Sequence, residues 1–262
     1  MKRRVLIGVA AIITVIVIVG GWAFWPRGTS EVSRQQALED FRRDGSPSTG
    51  APGGDTRARS IPGSGVYTYR ATGAEDVKLG PLPTEHRPFP ADVTAVVIDR
   101  GDGCFELTVN RFEQHTEDTR FCTTGDTVTL ASHTKHQQIG AFSPTATMTC
   151  DPATLVSSDR ATLDLTCTLD LSGGPATISA TLEGTAARGA PEELRVGTAS
   201  VHATPITVTY DVTGDLSGTW TETLWLGDAN LPIRMERTLD LSGPATFTER
   251  SQLHLESLTP AT

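Results

Sequence analysis

Thr162-Leu-Asp-Leu-Thr-Cys-Thr-Leu-Asp-Leu-Ser172 carries an apolar residue at every second position: Leu163, Leu165, Cys167, Leu169 and Leu171, with Thr and Asp between them. Strand side chains alternate between two faces, so a period of two describes an antiparallel strand with one face buried and one in water. Downstream, Ser172-Gly-Gly-Pro175 turns the chain, and Ile178, Ala180 and Leu182 line a return strand. The alternation recurs over Leu194 to Val201, in Ile206, Val208, Tyr210 and Val212, and in Trp220, Leu224 and Leu226. It closes with Ile233, Met235, Leu239 and Leu241, then Phe247, Leu253 and Leu255. The connections are short and rich in turn residues, which predicts a meander of about seven strands from Ala161 onward.

Upstream, Val66 to Arg70 and Val93 to Asp99 are strand-like and flank the proline-rich stretch 81–90, PLPTEHRPFP, which suits only a loop or an edge. Cys104 to Phe112 and Arg120 to Cys122 flank EQHTEDT, 113–119, expected as a hairpin tip. Thr127 to Ser132, Lys135 to Phe142 and Ala146 to Cys150 are further strand candidates. Residues 66–262 are thus expected to form an α+β, mostly β domain: a curved, half-barrel-like antiparallel sheet with few helices. The segment 168–177 recurs as 238–246, Thr-Leu-Asp-Leu-Ser-Gly-(Gly)-Pro-Ala-Thr, either as a duplication or as the same turn chemistry used twice.

Val5 to Trp25, VLIGVAAIITVIVIVGGWAFW, is uncharged throughout, long enough for a helix to cross the ~30 Å hydrocarbon core of a bilayer. Lys2, Arg3 and Arg4 precede it, and basic residues stay inside, so the expectation is a single-pass cell-membrane protein with residues 1–4 in the cytoplasm and the C-terminal domain outside. The competing reading, a cleaved signal peptide, requires a shorter apolar run ending in a small-x-small site. Ser30 to Arg43 is expected as a short helix within 26–43, with Ser30 as N-cap and a thin apolar stripe of Val32, Ala37, Leu38 and Phe41; stalk and docked helix both remain open. The segment 44–65, poor in bulky apolar residues, is expected to be a flexible linker.

From Gly45 to Thr262 the chain has 15 Lys and Arg against 27 Asp and Glu. That acidity argues against nucleic acid, which needs clustered cations. The four cysteines, Cys104, Cys122, Cys150 and Cys167, fall in the exported part, where disulfides form. Each of the pairs Cys104 with Cys122 and Cys150 with Cys167 flanks a stretch that folds back as adjacent strands. A four-thiolate zinc site, the alternative, usually shows C-x2-C spacing, which this chain lacks.

No nucleophile elbow, H-E-x-x-H helix or phosphate loop is present, so no catalytic residue, metal site or cofactor is assigned. His133 and His136 fall on strand and turn, where i and i+3 point to opposite faces, and are expected to be solvated. Asp99-Arg-Gly-Asp-Gly103 is turn chemistry between Ile98 and Cys104 rather than a calcium loop or adhesion site.

The stretch Thr223-Leu-Trp-Leu-Gly-Asp-Ala-Asn-Leu-Pro-Ile-Arg-Met-Glu236 resembles LolA-like and LppX/LprG-like bacterial envelope proteins, in which a strand ends in an acidic turn and resumes with Leu-Pro-x-Arg. Gly65-Val-Tyr-Thr-Tyr69 followed by Cys104, Cys122 and Cys150 is similar to uncharacterised actinobacterial membrane-anchored proteins. The first resemblance implies a half-barrel whose concave side holds lipid. Here that side would be an apolar groove of Val208, Tyr210, Leu224, Leu226, Ile233, Met235, Leu253 and Leu255. The expectation is an extracytoplasmic binding domain for a lipid or other hydrophobe. The alternative is a structural or partner-binding envelope protein without a small ligand.

Overall fold

Every strand is joined into one antiparallel sheet in the computed structural model, which describes residues 29–44, 61–174 and 176–262. In chain order the elements are α1 (Arg34–Asp44), β1 (Gly65–Leu79), β2 (Glu85–Pro88), β3 (Asp92–Gly101), β4 (Cys104–Phe112), β5 (His115–Thr124), β6 (Thr127–Gln137), β7 (Thr145–Cys150) and β8 (Thr154–Val156). They continue with β9 (Thr162–Ser172), β10 (Ile178–Arg188), β11 (Glu192–Val196), β12 (Ala199–Gly214), β13 (Ser217–Leu226), β14 (Pro232–Ser242) and β15 (Ala245–Leu255). The part from Ala161 onward holds the seven strands β9 to β15.

The sheet is a closed twelve-stranded barrel, not the expected half-barrel. Two long-range seams close it. Tyr69 to Leu79 of β1 pair with Leu255 to Ala245 of β15, and Ala180 to Arg188 of β10 pair with Gly214 to Ile206 of β12. The β11 hairpin steps out of the wall and pairs only with the start of β12, which lets β10 and β12 meet. Closure leaves no long unpaired edge. β2 pairs only with β1, so the proline-rich stretch is the edge it was expected to be.

β1 passes from β3, which it pairs with up to Arg70, to β2, which it pairs with from Ala74. Gly73 sits in the gap at φ +115°, where a Cβ would lie 1.9 Å from the Arg250 carbonyl oxygen. Only glycine permits that approach.

The EQHTEDT segment is not a hairpin tip. Only Glu113 and Gln114 turn; His115 opens β5 and is fully buried. Thr127 to Gln137 form one strand where two were expected, with an irregularity between Leu130 and Ser132. Gly101 to Gly103 turn between β3 and β4, with Asp102 at φ +52°. The two echoed segments both become hairpins, β9–β10 and β14–β15.

α1 starts later than expected. Ser33, not Ser30, caps it: its Oγ accepts the Gln36 N–H at 3.2 Å, and its carbonyl accepts that of Ala37. The helix is docked, not a free stalk, because Val32, Ala37 and Phe41 bury against Val66 and Val96 on the outside of the barrel. Ser30 is fixed too: its carbonyl accepts the Glu113 N–H at 2.8 Å.

Turns of an antiparallel barrel alternate between its ends. One end, here the lower, collects 80–84, 113–114, 138–144, 173–174, 176–177, 215–216 and 243–244, whose only charged residues are Glu113 and Asp215. The upper end carries Asp102, Asp126, Asp151, Asp159, Arg160 and Asp228. On the outer wall, the alternate positions Thr162, Asp164, Thr166, Thr168, Asp170 and Ser172 of β9 are exposed. A wall this polar faces water rather than acyl chains. The expected anchor 5–25 and most of the expected linker 44–65 lie outside the described residues. Among the described residues no helix is long and apolar enough to cross a membrane.

Candidate functional site

Eight strands enclose a lumen that side chains just fill, so twelve leave more space than aliphatic residues can occupy. Long charged side chains from the arc β6 to β13 take up the difference. Glu75 (β1), Arg87 (β2), Arg111 (β4), His115 and Glu117 (β5), Arg237 (β14) and Glu249 (β15) are all buried. Lys135 (β6), whose side chain is 13% exposed, and Glu222 (β13), 20% exposed, join them.

Two backbone irregularities change which residues face inward around these groups. The shift between Asn110 and Phe112 buries both Arg111 and Phe112, although they are neighbours in sequence. The irregularity after Leu130 reverses the parity of β6: Val128 and Leu130 face in above it, and His133 and Gln137 below it. A β-bulge has this effect because one extra residue flips the faces of everything that follows. His133, expected to be solvated, is buried for this reason, while His136 is exposed.

Lys135 Nζ is the hub, 3.5 Å from Glu249, 3.7 Å from Glu117 and 3.8 Å from Glu75. Arg237 binds Glu117 and, at 2.9 Å, Glu222. Arg87 Nη2 lies 2.6 Å from Glu75. The His115 ring stands between two carboxylates, Nδ1 2.9 Å from Glu75 and Nε2 2.8 Å from Glu117; only the second contact is aligned as a hydrogen bond. Gln137 donates to both oxygens of Glu75.

Burial by itself would raise the pKa of these carboxyls, but the facing cations prevail. Arg237 and Arg111 hold Glu117 well below the usual carboxylate range. The same pair and Lys135 hold Glu249 below it, and His115 and Lys135 do so for Glu75. His133 goes the other way, because loss of water pushes its pKa down to about 4 and the ring is neutral at pH 7.

Two chambers lie inside. The upper, of about 50 Å³, is bordered by Leu107, Val109, Phe121, Leu130, Met148, Leu155 and Glu117, together with Val208, Tyr210, Leu224 and Met235. The lower, of about 40 Å³, is bordered by Pro144, Ala146, Leu169, Leu171, Leu216, Leu239, Leu241 and Phe247, with Lys135 and Gln137. His133, Trp220 and Arg237 border both and form the partition. Of the expected groove residues, Val208, Tyr210, Leu224 and Met235 thus meet at the upper chamber. Leu226, Ile233, Leu253 and Leu255 are buried in the same core and border neither.

The disulfides pair as the strand spacing predicts, Cys104 with Cys122 and Cys150 with Cys167, each between residues directly opposite on neighbouring strands. The Tyr210 hydroxyl lies 3.8 Å from Cys167 Sγ on the chamber side.

The class defined here is a closed antiparallel barrel with a buried ionic belt and two small interior chambers. No protein-family model matches the chain, and no curated protein or solved structure matches it.

Proposed function

We propose that this chain is a membrane-anchored extracytoplasmic binding module that holds the lower end of its barrel toward the bilayer and takes up a small hydrophobic molecule in the chamber behind that end. The observation that carries this reading is the lower chamber itself, a leucine-rich hollow behind turns whose only charged residues are Glu113 and Asp215. The chain path supports the orientation. If 5–25 spans the membrane, only Pro26, Arg27 and Gly28 separate it from Thr29, whose hydroxyl donates to the Pro88 carbonyl, and from Ser30, fixed at the 113–114 turn. Three residues reach at most about 11 Å. The lower end is then membrane-proximal and the disulfides are distal.

The chambers are small as they stand. A benzene-sized guest needs roughly 150 Å³, so uptake requires Leu216 or Trp220 to move. The small volume favours the second reading, a rigid partner-binding or structural module of the envelope. Native mass spectrometry of the full chain extracted from its own membrane separates the two. A reproducible lipid or hydrophobe adduct supports the first reading. A bare chain that recovers defined membrane proteins on affinity purification favours the second.

A further inference from the structure

We infer that the partition between the chambers is a recognition site for one neutral oxygen acceptor, the carbonyl of an ester, amide or ketone carried on an apolar body. This deepens the hydrophobe reading above and rests on it. Trp220 Nε1, Arg237 Nε and His133 Nε2 are all buried without a hydrogen-bond partner, and all three residues border both chambers. Buried polar atoms are paired as a rule, and an unpaired one marks a place where something else binds.

The first two nitrogens only donate. The third donates in the tautomer in which the Thr119 hydroxyl gives its hydrogen to His133 Nδ1, 2.9 Å away. The three side chains cluster: His133 and Trp220 lie edge to face at 5.7 Å, and the Arg237 guanidinium sits 5.3 Å from the Trp220 ring centre. The site therefore asks for an acceptor.

Charge selects the kind of acceptor. Arg237 already faces three carboxylates, Glu117, Glu222 and Glu249, and His133 is neutral. A fourth anion would be buried beside those three without a free cation, which is costly. A neutral carbonyl brings lone pairs and no charge. Its apolar remainder would lie in the lower chamber against Leu169, Leu239 and Phe247.

The test uses the delipidated full chain in detergent, labelled with nitrogen-15 at tryptophan, with the Trp220 indole signal assigned by Trp220→Phe. Methyl decanoate, decanoate and decane are added at equal mole fraction in the micelle. The expected result is a downfield shift of the Trp220 indole proton with the ester alone, and ester affinity about tenfold above that of decane. Trp220→Phe should lose the preference for ester over decane, read as the ratio of the two affinities within the variant. Equal binding of ester and alkane overturns the acceptor site and leaves the hydrophobe reading standing. Tightest binding by decanoate overturns neutrality. Water contacts at the indole proton that no probe displaces mean that the chambers hold internal water only, and both readings then fall.

Discussion

Glu75 and Glu249 stand directly opposite each other on β1 and β15, both buried, with like charge turned toward like. Such a cross-strand pair is unfavourable unless a cation sits between its members. Lys135 supplies it, 3.8 Å from one carboxylate and 3.5 Å from the other. Lys135→Met keeps the volume and removes the charge. Breaking a buried ionic network costs about 3–5 kcal/mol, so the unfolding free energy should fall by that amount, read as a lower denaturant midpoint at an unchanged slope. A loss under 1 kcal/mol would show that the three carboxylates do not depend on this lysine.

The belt also sets the acid limb of stability. Glu75, Glu117 and Glu249 have native pKa values depressed by facing cations. Their contribution is complete above the unfolded value of about 4.3 and is lost as pH falls through the native ones. His133 acts earlier. Its native pKa of about 4 lies below the free value, so between about 6.5 and 4 the unfolded chain binds more protons and stability falls with pH. That slope is worth on the order of 3 kcal/mol across the window. His133→Gln should flatten it, as read from unfolding at half-unit pH steps; an unchanged slope would place the titration elsewhere.

Strand identity was legible where one face is apolar and the other polar, as in β9, and the disulfides followed because each pair lies across neighbouring strands. The belt was hidden because its members break that rule. Glu117 falls in a stretch expected as a hairpin tip, and Glu75 and Arg237 are polar residues that the alternation assigned to no face, yet all three point inward to fill a wide lumen. The bulge that turns His133 inward has no glycine or proline to announce it. Closure was hidden for another reason: the β10–β12 seam joins residues across an intervening hairpin, and a period of two specifies a face, not a partner.

Cys150–Cys167 ties β7 to β9 across the loop that holds β8. It closes a loop with a sequence separation of 17, which the chain-entropy model values at about 3 kcal/mol. Replacing both cysteines by serine should lower stability by that amount and leave the barrel spectrum intact. A variant of unchanged stability would mean that the ladder between Thr145 to Cys150 and Ser172 to Cys167 already confines the unfolded chain.

Gly73→Ala tests the bend of β1. A Cβ there meets the Arg250 carbonyl at 1.9 Å in a backbone region that alanine avoids, so the strand must move away from β15 at that point. The expected loss exceeds the roughly 1 kcal/mol of ordinary strand propensity. Hydrogen exchange should quicken at Ala74 and Glu75, which pair with Arg250 and Glu249, before it does at β9. Uniform quickening would indicate that the barrel opens as one unit and not at this seam.

Leu216 occupies the two-residue connection between β12 and β13 at the lower end, is fully buried, and borders the lower chamber. Leu216→Ala should cost about 2–5 kcal/mol, from lost burial and from the enlarged hollow. The same change makes room. A guest that binds only the folded state raises stability by mass action, so benzene should raise the Tm of the variant more than that of the parent chain. The parent responds less because its chamber of about 40 Å³ must first widen around the guest. Were benzene to move the variant no more than the parent, the lower end would have collapsed around the vacated volume, and Leu216 would be a packing residue rather than the plug of a binding chamber.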